Sequence, residues 1–76
     1  MHDKIWKILM NYSEKSEAEI KPESNLQTDL GLNSLDVIGI VTDFEDAFGI
    51  SIPDDDILTL VTVRDIEEYI KKKQEA

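Results

Sequence analysis

The sequence predicts an all-α fold, a small four-helix bundle with a long first loop and a short third helix. Three observations support this prediction. Apolar residues recur at three- and four-residue spacing in separate stretches, no stretch alternates convincingly with a period of two, and glycine, proline and polar residues lie between the stretches. At 76 residues the chain is expected to form one domain, residues 1–76.

The first helix is predicted over residues 3–14, with an inward stripe of Ile5, Ile8, Leu9 and Tyr12. Trp6 and Met10 lie beside that stripe, which predicts packing at the edge of the core. Residues 15–33 contain Pro22, Gly31 and many polar side chains, and they predict a long connection. Its anchors to the core are expected to be Ile20, Leu26, Leu30 and Leu32. Connections of this length usually have a function or some structure of their own.

The second helix is predicted over residues 34–48. Asn33 is a favoured N-cap, Asp36 can complete a capping box with it, and Gly49 suits a left-handed C-cap. Ser34 then takes the first helical position, with its hydroxyl toward water at the positive end of the helix dipole. Gly39 inside this helix costs roughly 1 kcal/mol against alanine. Its bare backbone either allows the close approach of a partner protein or is neutral. The predicted inward stripe is Leu35, Ile38, Val41, Phe44 (or its neighbour Thr42), Ala47 and Phe48.

Two shorter signals predict the remaining helices. Pro53 suits the first position of a short helix that reaches about residue 60, and the three aspartates after it favour a helix N-terminus. Without a central glycine and a glutamate at the twelfth position, this stretch does not predict an EF-hand. Thr62 and Asp65 resemble a capping box that opens the last helix, which extends to about residue 73. Its predicted inner face is Val63, Ile66, Tyr69 and Ile70.

Composition excludes several classes of chemistry. The chain has no cysteine, which excludes disulfides, thiolate metal sites and cysteine nucleophiles. Its only histidine is His2, so Ser34 lacks the neighbouring base that a nucleophilic serine needs. We therefore predict a protein that is not an enzyme, with no catalytic residues and no metal ligands. The lack of a long apolar run or a signal-peptide block predicts a soluble, cytoplasmic protein.

The net charge of −9 is concentrated in the middle of the chain. Residues 22–63 hold nine acids and no lysine or arginine, whereas the two ends together hold eight acids and eight bases. Such a field repels nucleic acid and anionic membranes and steers basic protein surfaces toward it. Uniform solubilising charge would not exclude bases from the whole span, so the pattern favours an acidic surface that faces partner proteins.

Residues 29–36, Asp-Leu-Gly-Leu-Asn-Ser-Leu-Asp, resemble the modification motif of the acyl carrier protein family, whose usual form is Asp-Ser-Leu after a Leu-Gly element. Residues 44–48, 50–54, 62–65 and 69–70 are similar to the rest of the family pattern in order and spacing. The resemblance implies a bundle in which Ser34 carries 4′-phosphopantetheine covalently and the thiol of this group holds acyl intermediates as thioesters. It implies that fatty-acid, polyketide or related biosynthetic enzymes receive them. Without the resemblance, Ser34 is more simply a helix-start serine that shares capping with Asn33.

The resemblance also implies the partners. They are a phosphopantetheinyl transferase and acyl-transferring or acyl-modifying enzymes with basic docking patches, and the carrier itself is expected to be a monomer. The family's partner surface is the acidic second helix together with the segment after it. Carried over by position, it gives as partner-binding residues Leu35, Asp36, Val37, Glu45, Asp46 and Asp54.

Three residues depart from the family pattern. Asn33 stands where aspartate is usual, which removes a carboxylate for the transferase's magnesium and implies slower modification or a particular transferase. Gly39 replaces a usual acid and Thr42 an often apolar residue, which suggests a specialised partner set. A peptidyl or aminoacyl carrier and an unmodified acidic protein-interaction module remain as alternatives. Bulky residues expected at the mouth of the bundle predict limited room for a long acyl chain: Phe44, Ile57, Leu60 and Ile66.

Overall fold

The computed structural model describes residues 2–75, with side chains from residue 4 to residue 75. Four α-helices and one short 3-10 helix account for its regular structure, so the predicted all-α class, long first loop and short third helix are confirmed. None of the helices in this described part is both long and apolar enough to cross a membrane. In chain order the α-helices are α1 His2–Tyr12, α2 Ser34–Phe48, α3 Asp54–Ile57 and α4 Val63–Glu75.

A single cluster of buried apolar side chains holds these elements together. Helices α1, α2 and α4 and the long connection all contribute to it, whereas α3 contributes no buried residue. The four predicted anchors of the connection are buried, as expected, so this segment is part of the core despite its polar composition. The cluster consists of Ile5, Trp6, Leu9, Ile20, Leu26, Leu30, Leu32, Ile40, Val41, Phe44, Ile52, Leu60, Val63, Ile66 and Ile70.

The long connection is tied to the start of α4. It contains a 3-10 helix, Glu17–Glu19, and then passes beside residues 61–63. The Leu26 N–H donates to the Val61 carbonyl at 3.0 Å, and the Val63 N–H donates to the Ser24 carbonyl at 3.1 Å. These backbone hydrogen bonds place residues 24–26 next to the segment that joins α3 to α4.

Helix α2 begins and ends where the sequence predicts, but its orientation differs from the prediction. Leu35 is 78% exposed and Ile38 is 54% exposed, and Ala47 is also exposed. The buried residues of α2 are instead Ile40, Val41 and Phe44. The predicted inward stripe was therefore wrong at Leu35, Ile38 and Ala47 and correct at Val41 and Phe44. This helix is apolar on two adjacent faces, and packing against the other helices determines which of them is buried.

Two local predictions also need correction. Trp6 lies in the core, at 3% exposure, and its indole N–H donates to the Ile20 carbonyl at 3.0 Å, whereas Met10 does lie at the edge. Pro53 is the N-cap of α3, with extended backbone angles, and α3 ends at Ile57. The Thr62–Asp65 capping box is confirmed, since the Asp65 carboxylate accepts from the Thr62 N–H at 3.0 Å.

Candidate functional site

A reciprocal capping box forms the start of α2. The Asn33 side-chain oxygen accepts a hydrogen bond from the Asp36 N–H at 2.8 Å, and the Asp36 carboxylate accepts one from the Asn33 N–H at 3.1 Å. Asn33 has extended backbone angles, as an N-cap residue should, and its carbonyl accepts from the Val37 N–H at 3.0 Å. This box holds the first turn of α2 rigidly and presents the residue next to the cap.

That residue is Ser34, whose side chain is exposed at the first helical position. Within the described residues its hydroxyl makes no hydrogen bond, because Asn33 and Asp36 carry out the capping between them. Ser34 therefore does not cap the helix. Its hydroxyl is exposed at the positive end of the helix dipole, where a partner protein can reach it.

An apolar groove of about 350 Å³ opens beside Ser34. One wall is the outer side of the first two turns of α2, another is the end of α3 with the segment after it, and the connection supplies the third. The lining residues are Asn25, Leu26, Gln27, Ser34, Val37, Ile38, Ile57, Leu58, Leu60 and Val61. Its polar side chains are neutral amides and the serine hydroxyl, so this lining offers no base that would activate Ser34 as a nucleophile.

Side-chain hydrogen bonds hold the α3 wall of the groove in position. Tyr69 on α4 donates its hydroxyl to the Asp56 carboxylate at 2.6 Å. Burial, together with this hydrogen bond, raises the pKa of Tyr69 to about 12. In the segment that joins α2 to α3, the Ile52 N–H donates to the Glu45 carboxylate on α2 at 2.8 Å. Two side-chain hydrogen bonds thus position a short helix that has no buried residue of its own.

Large apolar side chains surround the mouth of the groove and remain in solvent. Leu58 is 82% exposed and Val61 is 49% exposed, and they face the same groove as Ile38. Leu35 does not line the groove, but it lies one turn before Ile38 on α2, a spacing that puts both on one face of the helix. These four exposed residues are called the apolar rim: Leu35, Ile38, Leu58 and Val61. Of these four residues, the sequence predicted only Leu35 as a contact for partner proteins. The second apolar stripe of α2 was the signal that could have revealed Ile38.

The predicted partner-binding acids differ in their surroundings. Asp46 and Asp54 are exposed, whereas Asp36 and Glu45 are half-buried and accept the backbone hydrogen bonds described above. Val37 is half-buried and packs against the core while it lines the groove. In the described part of the chain, no three histidine, cysteine, aspartate or glutamate side chains converge on a position for a metal ion.

The four bulky residues predicted at the mouth of the bundle do not all lie beside the groove. Ile57 and Leu60 line the groove, but Phe44 and Ile66 are fully buried in the core and do not belong to its lining. Limited room for a long acyl chain remains a prediction.

Comparison with known proteins identifies the family. A family model described as a phosphopantetheine attachment site matches residues 5–70. An acyl carrier protein of Nitratidesulfovibrio vulgaris strain Miyazaki F is 42% identical over 74 residues, which cover 97% of each chain. An acyl carrier protein of the DP4 strain of the same species is 36% identical over the same length and coverage. The chain therefore belongs to the acyl carrier protein family and carries 4′-phosphopantetheine as a covalent prosthetic group.

Proposed function

We propose that Ser34 is the residue to which the 4′-phosphopantetheine arm is attached. The observation that carries this proposal is an exposed hydroxyl without a hydrogen-bond partner, at a rigidly capped helix start and on the edge of an apolar groove. The residues fit the group, since an anionic phosphodiester suits the positive end of a helix dipole. When bound, the arm supplies a thiol that holds acyl groups as thioesters.

The chain's own residues would hold and present the attachment point. The Asn33–Asp36 capping box fixes the backbone of the first turn and therefore the position at which the Ser34 side chain leaves the helix. The groove beside it offers an apolar surface, held in place by the Tyr69–Asp56 hydrogen bond. We assign no bond-making step to any side chain, so the protein acts as a carrier and not as an enzyme.

The partner surface proposed here extends from the apolar rim to the exposed acids Asp46 and Asp54. Leu35 would insert into an apolar pocket, and the acids would attract basic patches on the transferase and on acyl-transferring enzymes. Asp36, Val37 and Glu45 lie on the same surface but also stabilise the fold, so they would contribute to docking with only part of their polar or apolar atoms.

The same proposal includes the physical state and location of the carrier. A net charge of −9 disfavours self-association, so we expect a monomer. A cytoplasmic location is expected because coenzyme A, the donor of the arm, is available there.

Intact-mass measurement tests the attachment residue. The apo protein is incubated with coenzyme A, magnesium and a broad-specificity transferase, and we expect the mass to rise by one phosphopantetheine. Ser34→Ala should abolish the gain, whereas Ser51→Ala, at another exposed serine, should leave it intact.

Two outcomes would contradict the proposal. One is a mass gain that persists in Ser34→Ala, which would put the arm on another residue. The other is a mass that stays at the apo value with every transferase tried, which would favour an unmodified acidic interaction module.

A further inference from the structure

The amide of Asn33 leaves a hydrogen-bond donor next to the attachment serine. Its oxygen accepts the Asp36 N–H at 2.8 Å, and a backbone N–H can only donate, so the oxygen must point toward the helix. The amide nitrogen is left on the outer side with both of its hydrogens. Asn33 is exposed, and no described residue accepts a hydrogen bond from this nitrogen.

The charged side chains close to Ser34 in the sequence are negative. Asp36 is the acid of the first turn of α2, and residues 22–63 supply no lysine or arginine. A phosphodiester on Ser34 adds another negative charge at this point. An aspartate at position 33 would place a second carboxylate next to that phosphodiester, whereas the Asn33 amide brings no charge and offers a donor.

We propose that Asn33 stabilises the modified state of the carrier by keeping the phosphodiester on Ser34 free of a second neighbouring carboxylate beside that of Asp36. This inference rests on Ser34 as the attachment residue. Asn33 is a positioning residue here: it caps α2 in the apo and holo forms alike, and its additional effect is confined to the holo form. The capping contribution therefore cancels when the holo form is compared with the apo form of one variant.

The test is thermal unfolding of apo and holo forms of the wild type and of Asn33→Asp at low ionic strength. Aspartate also caps well, so both variants should fold. Two charges a few ångströms apart in water interact by about 1 kcal/mol, which for a domain of this size corresponds to about 4 °C. We expect the holo-minus-apo difference in Tm to be about 4 °C lower in Asn33→Asp than in the wild type. High salt should reduce the deficit.

Asn11→Asp is the matched control, because it makes the same chemical change at an exposed position on α1. Its holo-minus-apo difference should equal that of the wild type. Mass spectrometry first establishes that the arm is on Ser34, and if it is not, both proposals fail. If the arm is present and Asn33→Asp shows the wild-type difference, only the inference about Asn33 is overturned.

Discussion

At the scale of single residues, Tyr69 links α4 to α3. Its hydroxyl donates to Asp56 on α3, and the ammonium of Lys73 lies 5.5 Å from the centre of its ring. Burial, the Asp56 carboxylate and the more distant Glu45 all disfavour the phenolate, which explains why the pKa of Tyr69 rises to about 12. The neutral phenol is therefore the form that stabilises the fold.

This predicts a pH-dependent effect of Tyr69→Phe. The pKa of Tyr69 is higher in the folded state than its ordinary value of 10.0, so its contribution is complete below pH 10.0 and is lost as the pH rises toward about 12. Near neutral pH the variant should lose one hydrogen bond and unfold at a Tm lower by about 4 °C. Above pH 10.0 the gap between wild type and variant should close. Urea unfolding across this range measures it, and a gap that stays constant would refute the role of the phenol.

At the scale of elements, Gly39 explains how α1 packs against α2. A Cβ atom built on Gly39 would lie 2.9 Å from the Cε2 and hydroxyl oxygen of Tyr12, which is closer than carbon atoms pack. The Tyr12 hydroxyl donates to the Asp43 carboxylate at 2.9 Å. The Tyr12 ring therefore packs directly against the backbone of Gly39. The close approach that this glycine allows is made by the same chain and not by a partner protein.

A double-mutant cycle tests this packing. In a helix, Gly→Ala normally stabilises by about 1 kcal/mol. In the wild type we expect Gly39→Ala to lose that gain, because the new methyl group displaces the Tyr12 ring from Asp43. In a Tyr12→Ala background the ring is absent, and the gain of about 1 kcal/mol should appear in the free energy of unfolding. Equal effects of Gly39→Ala in both backgrounds would show that the two residues are not coupled.

At the scale of the whole molecule, the concentration of acids in the middle of the chain affects the rate at which partner proteins associate. The nine acids of residues 22–63 include the exposed Asp46 and Asp54, while all basic residues lie nearer the chain ends. The field of such a surface acts mainly on the rate of encounter and depends on salt. The position of a charge should then matter more than the total charge.

Two double variants with the same net charge test this expectation. Asp46→Asn with Asp54→Asn should reduce kcat/KM of a phosphopantetheinyl transferase by about threefold at low salt. Glu14→Gln with Glu68→Gln removes two exposed acids outside the acidic span and should have little effect. At about 1 M salt the Debye length is near 3 Å, so the difference should disappear. Equal losses in both double variants would mean that only total charge matters.

The parts of this protein that the sequence determines by itself depend on local interactions. The bounds of α2 follow from a four-residue capping box at its start and from Gly49 at its end, whose φ is +64°. The exposure of Ser34 follows from the same box, because Asn33 and Asp36 satisfy one another. Such hydrogen bonds and backbone preferences lie within a few residues, so the sequence pattern predicts them.

The tertiary structure decided what depends on contacts between distant segments. Leu35 and Ile38 lie at helical spacing like the buried residues of α2, and only packing against the other helices turns them outward. The groove beside Ser34 exists because the connection, α2 and the segment after α3 meet there. The Tyr69–Asp56 hydrogen bond spans 13 residues and the Tyr12–Asp43 hydrogen bond spans 31. Apolar periodicity shows that a helix has a face to bury, but the neighbouring segments determine which face that is.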